Sequence, residues 1–440
     1  MFNMSSEIDY KEFDKNRTYI KDIFSKNEGE EIEIAGWAYD MRALGKIRFA
    51  MIKDMTGIVQ LVALKKNVSE EDFDLIDNLS KESVIYVKGT IKESAQAVGG
   101  KEIVPSIIKL ISKSKDLPID VSDYSKTELN KRLDYRYVDL HNRKTQAIFK
   151  IESTIMQSFR EFMIKNFGAV EAAFPSIIGS SSEGGTELFK AKYFDKEVFL
   201  SQSCQLYKQM LACSMEKVFA IFTVWRAEKH NTAKHLNEAR QLDYEQAFAD
   251  EFVAMDVLYK TIKFIISEVL EKNKEELDFL NVKLKIPEVK YLTFAQAKEI
   301  CEKEGAHVGD DDLSTEAEKK LGELYPDTIV FVHDWPISGK PFYIMPKGKG
   351  LSRGFDAIYR GMEITSGGQR VHLPEVLEKQ LKERDLDPKD FGSYIDSFRY
   401  GAPPHAGWGM GLERLTMLIL GIQNIREVVL FPRDRTRITP

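Results

Sequence analysis

The sequence predicts an α+β protein in which a small five-stranded β-barrel precedes a larger, mostly antiparallel sheet flanked by helices. Three observations lead to this prediction. Five short strand-like runs lie within residues 32–112, a polar stretch follows at 113–144, and helical and extended patterns then mix without strict alternation. The length of 440 residues favours two or three domains, so we expect domains at 1–112 and 145–440 joined by a hinge at 113–144.

The composition excludes several classes of protein. No apolar run approaches the length of a membrane span, and the start "MFNMSSEIDYKEFDKN" is too acidic and polar for a signal peptide. The three cysteines, Cys204, Cys213 and Cys301, are odd in number and widely spaced, so we expect reduced thiols in the cytoplasm and no metal cluster. A net charge of -6 argues against a wholly basic surface but allows a local basic groove.

The first region has the pattern of a closed barrel. Its runs are "EIEIAGWAYDMR", "KIRFAMIKD", "GIVQLVAL", "VIYVKGTI" and "EIVPSIIKLI", with Gly45, Gly57 and Gly89 near the turns. Five short strands in so few residues favour the five-stranded OB barrel.

The second region begins with a helical pattern. Ile148, Ile151, Ile155 and Phe159 recur at three- and four-residue spacing and predict an amphipathic helix that ends near Gly168. The later segments predict a strand at 218–225, a long helix from Tyr244, strands at 328–333, 342–346 and 357–365, and helices within 373–383 and 411–421.

Charged residues mark four candidate binding segments. Arg226 ends the strand at 218–225 and is followed by a loop with His230, Lys234 and His235; a planar guanidinium suits a phosphate, although such a loop can also be a solvated hairpin tip. Arg414 begins an otherwise apolar helix, where its charge costs several kcal/mol unless an anion meets it.

The other two segments are less specific when taken alone. "GMEITSGGQRVH" holds Glu363 and Arg370 in a strand-like run, which indicates that something charged lies against it. "SQSCQLYKQML" places Gln205 and Lys208 at helical spacing, although a lone lysine on a helix is usually at the surface. We interpret Cys204 as a packing residue.

Together and in this order, these segments closely resemble class II aminoacyl-tRNA synthetases, specifically the aspartyl-tRNA synthetases of the archaeal and eukaryotic-cytosolic type. "FGAVEAAFPSI" resembles motif 1 with its Pro175, "WRAEKHNTAKHLNE" motif 2 and "GWGMGLERL" motif 3. "LDYRYVDL" and the ending "NIREVVLFPRDRTRITP" also match family signatures. The resemblance implies a homodimer formed through motif 1, with ATP, L-aspartate and tRNA(Asp) as substrates, and leaves open whether tRNA(Asn) is charged as well.

The resemblance also implies residue roles. Arg226 and Arg414 would be the catalytic arginines, and the ATP site would comprise Arg226, Ala227, Glu228, Lys234, His235, Leu236, Glu363, Gly411, Leu412, Glu413 and Arg414. Aspartate would be bound by Glu183, Gln205, Leu206, Tyr207, Lys208, Arg226, Ser366 and Arg370. Mg²⁺ would be held by Glu363 and Ser366 with Asp356 as a helper, and the tRNA anticodon would meet Phe49 and Gln60.

The implied chemistry suits these residue types. The aspartate α-carboxylate attacks the α-phosphorus of ATP, a step that needs positioning and charge neutralisation more than proton transfer. The sequence departs from the family at Cys204, where proline is usual, and at Trp225, where phenylalanine is usual. Ala239 and Arg240 offer no aromatic ring for adenine, so Arg240 is the candidate to stack on it.

Three alternative functions remain. A tRNA-independent asparagine synthetase should lack the barrel that residues 32–112 supply. An asparaginyl-tRNA synthetase would have little use for Lys208 beside Arg370, because two cations suit a carboxylate better than an amide. A non-catalytic RNA-binding protein would not need Arg226, Glu363 and Arg414 together.

Overall fold

The computed structural model describes residues 8–179, 187–229 and 232–440. The chain forms two compact units, one up to Asp120 and the other from Val121 to the end. The first is a five-stranded barrel and the second is built on a large mixed sheet with helices, so the predicted α+β fold class is confirmed.

The first unit is a closed barrel with the strand order β1-β2-β3-β5-β4. Its core is formed by every second residue of the strands, because side chains alternate between the two faces of a sheet. The strands are β1 (Glu31–Leu44), β2 (Ile47–Lys53), β3 (Ile58–Leu64), β4 (Val84–Glu93) and β5 (Lys101–Ser112), and the helices are α1 (Tyr10–Asn16), α2 (Ile20–Ile23) and α3 (Glu70–Asp77).

The two residues expected to meet RNA lie on the outer face of this barrel. In β2, Ala50 and Ile52 point into the core. Phe49 precedes Ala50, so its side chain points to the outer face, where it is half-buried. Gln60 on β3 is the cross-strand partner of Met51, which lies two residues after Phe49 and so on the same face of β2. The Gln60 side-chain amide donates to Glu102 at 3.3 Å. Phe49 and Gln60 therefore share one face on neighbouring strands.

The second unit contains an eight-stranded sheet with the order β12-β13-β16-β17-β18-β11-β10-β6. Its neighbours run antiparallel except at the two edges, where β12 pairs with β13 and β6 with β10 in parallel. The unit's strands are β6 (Val170–Glu171), β7 (Ile177–Ile178), β8 (Lys190–Tyr193), β9 (Lys196–Leu200), β10 (Lys217–Trp225), β11 (Glu238–Ala247), β12 (Glu288–Thr293), β13 (Thr328–His333), β14 (Pro346–Gly348), β15 (Leu351–Ser352), β16 (Gly354–Tyr359), β17 (Met362–Gln369) and β18 (His405–Gly411).

Helices cover one face of this sheet and form the main core with it. That core joins α6, α8 and α14 to the inward side chains of the central strands. The helices are α4 (Leu129–Asp134), α5 (Arg136–Asp139), α6 (Arg143–Phe167), α7 (Gln205–Met215), α8 (Glu251–Lys272), α9 (Lys274–Phe279), α10 (Phe294–Lys303), α11 (Thr315–Leu324), α12 (Pro374–Lys382), α13 (Gly392–Arg399) and α14 (Leu412–Leu420). None of the helices in the described residues is both long enough and apolar enough to cross a membrane.

Several element predictions differ from the structure. The segment 357–365 is not one strand but parts of β16 and β17, which join through Arg360 and Gly361; both have positive φ, as in a two-residue hairpin turn. Most of 342–346 lies outside any strand, with only Pro346 in β14. The helix expected from Tyr244 begins at Glu251, because Tyr244 is paired within the sheet and the Asp250 carboxylate caps the helix.

The polar stretch at 113–144, expected to be a hinge, is partly structured. From Val121 onward it belongs to the second unit, and Arg136 within it is fully buried. The Arg136 guanidinium forms an ion pair with Asp139 at 2.6 Å and donates to the carbonyls of Glu427, Val429 and Leu430 at 2.8–3.0 Å. This cluster, rather than apolar burial, attaches the stretch to the C-terminal segment.

Replacing Arg136 with methionine should lower the free energy of unfolding by about 3 kcal/mol or more, because Asp139 and three carbonyls would lose a buried partner. Urea unfolding of the full chain measures this loss. Arg160→Met is the control, since the Arg160–Glu171 pair is largely exposed and should contribute about 1 kcal/mol or less. Equal losses in both variants would contradict the structural role of Arg136.

Candidate functional site

Charged side chains line the face of the sheet opposite the main core. In β11, Leu242 and Tyr244 point into the core, so Asp243 and Glu245 point to the other face. Both carboxylates are buried, with at most 1% of either residue exposed. A sheet face that buries two carboxylates must supply cations to balance them.

The neighbouring strand β18 makes room for these carboxylates. Its residues alternate between core side chains at Ala406, Trp408 and Met410 and glycines at 407, 409 and 411. Gly407 is paired with Glu245 and Gly409 with Asp243. A Cβ on Gly407 would overlap the Glu245 carboxylate, and one on Gly409 would lie 3.0 Å from Asp243 Oδ1, so the spaced glycines of "GWGMG" leave the space that the charges occupy.

Lys208 and Arg370 supply the balancing cations. Lys208 Nζ lies 2.8 Å from Asp243 Oδ1, 2.9 Å from the Trp408 carbonyl oxygen and 3.6 Å from Glu245 Oε2. Arg370 donates to both Glu245 oxygens, at 2.9 and 3.2 Å. Burial alone would raise the pKa of Glu245, but Arg370 and Lys208 outweigh it, and the net pKa is lowered. We call these four residues, Lys208, Asp243, Glu245 and Arg370, the charge quartet.

A second feature of the same face is a cleft of about 160 Å³. It is lined by most of the residues that the resemblance assigns to ATP: Arg226, Glu228, Lys234, His235, Leu236, Glu363, Gly411, Glu413 and Arg414, together with Ser366. Arg226 follows directly on β10, and the Asn237 amide donates to the carbonyls of Arg226 and Glu228 at 2.7 and 3.0 Å. The Asn237 side chain thus links the two ends of the loop between β10 and β11.

The far side of this loop is attached to the C-terminal segment. The Ile425 N–H donates to the Ala233 carbonyl at 2.8 Å, and the Arg426 guanidinium donates to the Thr232 carbonyl at 2.9 Å. Arg426 in turn pairs with Asp434 at 2.6 Å. Because Arg136 binds carbonyls of the same C-terminal segment, three distant parts of the sequence position Lys234 and His235.

Arg240 lies in the cleft where the sequence offers no aromatic ring. Its backbone N–H donates to both oxygens of Glu413, at 2.9 and 3.1 Å, and its guanidinium lies within 3.6 Å of the same carboxylate. Burial raises the pKa of Glu413 to about 6. Glu413 therefore fixes the start of β11 and the Arg240 side chain, which remains about one-third exposed.

The residues expected to hold magnesium converge through a β-bulge. Ala357 pairs with Thr365 and Ile358 with Glu363, so Ile364 is an extra residue in β17. Cross-strand partners share a face, and Asp356 pairs with Ser366 while Ile358 pairs with Glu363. The bulge thus puts Glu363 and Ser366 on one face although they are three residues apart.

This oxygen set fits magnesium. Burial, followed by the nearby Asp356 carboxylate, raises the pKa of Glu363 to about 7 against the opposing effect of Arg414 and Lys340, so a divalent cation would favour the charged form. Asp356 already forms a 2.5 Å ion pair with Lys340. No group of three or more His, Cys, Asp or Glu side chains able to hold a metal lies among the described residues, but Mg²⁺ needs only one or two carboxylates when phosphates and waters complete its shell.

Other predicted residues lie elsewhere. The Leu412 side chain is in the main core and Ala227 borders a separate cavity of about 360 Å³. Leu206 and Tyr207 point away from Lys208 on helix α7 and line another pocket with Phe391. Gln205 is buried and donates to Gln209 at 2.9 Å, and Glu183 falls outside the described residues.

Sequence reasoning missed Asp243, Glu245, Glu318 and Lys340. The alternation of acidic and apolar residues in "LDYEQ", matched to the glycine alternation in "GWGMG", was the available signal for the first two. No sequence pattern around Glu318 or Lys340 indicates a role, because Glu318 contacts Glu363 and Lys340 contacts Asp356, which are distant in sequence.

The comparisons with known proteins cover both units. Residues 128–435 match the family model of class II tRNA synthetases (D, K and N), and residues 32–111 match that of the OB-fold nucleic acid binding domain. The aspartate–tRNA(Asp/Asn) ligase of Archaeoglobus fulgidus is 43% identical over 96% of this chain and 100% of its own. The aspartate–tRNA(Asp) ligase of Pyrococcus horikoshii is 44% identical over 96% of this chain and 99% of its own.

Solved structures agree with this result. The asparaginyl-tRNA synthetase of Pyrococcus horikoshii, complexed with asparaginyl-adenylate, superposes with a TM-score of 0.92 at 33% identity, covering 96% of this chain and 99% of its own. An aspartyl-tRNA synthetase from Entamoeba histolytica gives 0.88 at 31% identity, covering 99% and 95%. The chain therefore belongs to the class II tRNA synthetase family, with an N-terminal OB-fold domain.

Proposed function

We propose that the protein is an aspartate–tRNA ligase, which activates L-aspartate with ATP and transfers it to tRNA. The observation that carries the proposal is that a cation-lined cleft and the charge quartet adjoin on one sheet face. Gly409 lines the cleft and is the strand partner of Asp243, so the two subsites meet there. The curated relatives named as aspartate–tRNA ligases support the amino acid assignment.

The cleft would bind ATP through charge. Arg226, Lys234 and His235 are cationic or donor groups able to meet phosphate oxygens, and Arg414 at the start of α14 adds a fourth. Glu363 and Ser366 would hold the magnesium ion, which neutralises phosphate charge when bound. Arg240, fixed by Glu413, is the cleft's candidate partner for the adenine ring.

The quartet would bind the aspartate side chain. Arg370 uses Nε and Nη2 on Glu245, and its Nη1 and the Lys208 ammonium provide further donors for an incoming carboxylate. Because the quartet holds both cations in place before substrate binds, little reorganisation is needed. Ser366 would complete the subsite. Gln205 and Glu183 remain candidates on the family resemblance, Glu183 for the substrate ammonium.

The chemistry follows from this arrangement. The α-carboxylate of aspartate attacks the α-phosphorus in line, the bond to pyrophosphate breaks, and Arg226 stabilises the charge that develops on the α-phosphate oxygens. The terminal ribose hydroxyl of tRNA then attacks the aspartyl carbonyl carbon, the bond to the phosphate of AMP breaks, and that phosphate takes up the hydroxyl proton as AMP leaves. Neither step requires a protein side chain to act as general base.

The rival assignment is an asparaginyl-tRNA synthetase, since such an enzyme is among the most similar solved structures. Aspartate-dependent and asparagine-dependent ATP–pyrophosphate exchange, measured side by side, separates the two. Exchange with asparagine alone would refute our proposal. Charging purified tRNA(Asp) and tRNA(Asn) then defines the tRNA range. The relatives include ligases named for tRNA(Asp/Asn), at 43% identity, and for tRNA(Asp), at 44%.

We further propose a cytoplasmic homodimer. Exposed apolar side chains at Val170 and Ile177 lie within the motif 1 segment, and burying them in a symmetric interface would be favourable. Light scattering should then give about twice the chain mass of 50.4 kDa. The three free cysteines are consistent with a reducing compartment.

Replacing Arg226 with alanine should lower aspartate-dependent pyrophosphate exchange by about 100-fold, or roughly 2.7 kcal/mol, because the α-phosphate charge would lose its fixed cation. Lys229→Ala is the control, since Lys229 is exposed on the same loop and pairs with Glu187 at 3.1 Å. Near-normal exchange in a folded Arg226→Ala protein would remove Arg226 from the site.

Replacing Lys208 with methionine should raise the KM for aspartate about tenfold or more and leave the KM for ATP unchanged. The ratio of kcat/KM for aspartate to that for asparagine should fall. Because this change also leaves Asp243 without a cation, Lys53→Met is the matched control: Lys53 forms an equally buried pair with Glu82 at 3.0 Å in the first unit. If Lys208→Met keeps its full preference for aspartate, or if ATP binding suffers instead, the assignment fails.

Replacing Phe49 with alanine should remove base stacking worth about 1–3 kcal/mol, so kcat/KM for tRNA charging falls while pyrophosphate exchange without tRNA is retained. Tyr10→Ala, which removes an exposed ring of the first unit, should change neither assay. Parallel losses in both assays would mean that Phe49 serves the fold and not RNA binding.

A further inference from the structure

Glu318, on helix α11, is placed close to the predicted magnesium site by direct backbone packing. Helix α11 rests against the turn between β16 and β17, where a Cβ on Gly322 would overlap the backbone of Gly361. A Cβ on Gly361 would in turn lie 3.1 Å from Lys319 Cα. Glu318 precedes Gly322 by one helical turn and so lies on the same face of the helix, toward β17.

From this position Glu318 contacts the backbone of Glu363. Glu318 Oε2 accepts a hydrogen bond from the Glu363 N–H at 3.3 Å. On the other side, Arg414 Nη1 donates to the Glu363 carbonyl oxygen at 3.0 Å. The peptide groups on both sides of the Glu363 Cα are therefore held by side chains from two different helices.

This support comes where the strand itself is irregular. The extra residue Ile364 interrupts the regular β16–β17 pairing immediately after Glu363, and bulges of this kind re-aim side chains. The direction of the Glu363 carboxylate thus depends on how its backbone is fixed at that point.

We propose that Glu318 is a positioning residue that holds the backbone of Glu363, so that the Glu363 carboxylate meets the metal ion on ATP. The inference rests on the proposed function, because it takes Glu363 as a magnesium ligand. Glu318 itself is not required as a ligand, because one of its oxygens is engaged by the Glu363 N–H.

The charges around Glu318 suit this role. Besides the Glu363 N–H, two cations of the cleft, Lys234 and Arg414, interact electrostatically with the Glu318 carboxylate. Lys234 comes from the loop across the cleft and Arg414 from helix α14. The carboxylate therefore lies among groups that would surround the phosphates.

The test separates metal-dependent from metal-independent nucleotide binding. ATP affinity is measured without aspartate, once with saturating Mn²⁺ and once in EDTA, and the ratio of the two affinities isolates what the metal contributes. In Glu318→Ala the ratio should fall about tenfold, as when a group that orients a metal ligand is lost. Any change of the affinity in EDTA should be the same in Glu318→Ala and Glu318→Gln, because both variants remove the same charge. Glu318→Gln keeps an acceptor oxygen for the Glu363 N–H and should stay within about twofold of the parent protein.

Two further variants make the inference falsifiable. Glu316→Ala, on an exposed position of the same helix, should leave the ratio unchanged. Glu363→Gln should itself reduce the ratio of ATP affinity in Mn²⁺ to that in EDTA. Adding Glu318→Ala to this variant should reduce the ratio no further, because Glu318 acts only through the Glu363 carboxylate.

The outcomes are distinct. An unchanged ratio in Glu318→Ala, or an additive loss in the double variant, would overturn the inference. A loss in Glu318→Gln as large as in Glu318→Ala would also overturn it, because the negative charge and not the hydrogen bond would then matter. Failure of aspartate-dependent exchange in the parent protein would refute the proposed function while leaving the metal-dependent ATP measurement readable on its own.

Discussion

Mutual neutralisation of four buried charges is the constraint on which the second unit depends. Lys208, Asp243, Glu245 and Arg370 lie on one sheet face with almost no exposure, and any one of them left alone would cost several kcal/mol. Their need for space requires glycines on the adjoining strand β18, and their need for a cation fixes where helix α7 must lie. The packing of the other sheet face can then be an ordinary apolar core.

A second principle of the architecture is that segments far apart in sequence fix the ends of loops. Arg136 binds carbonyls of the C-terminal segment, and Ile425 and Arg426 of that segment bind the loop that carries Lys234. Cations that bind a ligand do so at less cost when their positions are fixed before it arrives. Tying the loop at Thr232 and Ala233 on one side and at Asn237 on the other limits how far Lys234 and His235 can move.

Local patterns predicted elements well where a single periodicity dominates. The helix capped at Gly168 is predicted because apolar side chains repeat with the helical period, and the strand at 328–333 because it is a short continuous apolar run. The predictions are wrong where two elements share one apolar run. Arg360 and Gly361 form a turn with positive φ inside a run that has the pattern of one strand. Tyr244 belongs to a strand, although the helical pattern of the sequence includes it. Chemistry alone indicates anion binding at Arg226 and Arg414, whereas the aspartate-binding roles of Lys208 and Arg370 follow only from the family resemblance. Asp243, Glu245 and Glu318, which contact Lys208, Arg370 and Glu363, lie 35 to 125 residues away from them in sequence, so no local pattern links them.

Under the proposed function, the burial of the charge quartet makes amino acid binding and RNA binding respond differently to ionic strength. Charges sealed between a helix and a glycine strand exchange little with bulk ions, since screening acts mainly on groups that solvent reaches. Contacts between an exposed barrel face and a polyanion release counterions and weaken steeply as salt rises. Under the proposed function, the selectivity of the amino acid pocket should therefore tolerate changing salt, whereas the affinity of the barrel for tRNA should fall as salt rises.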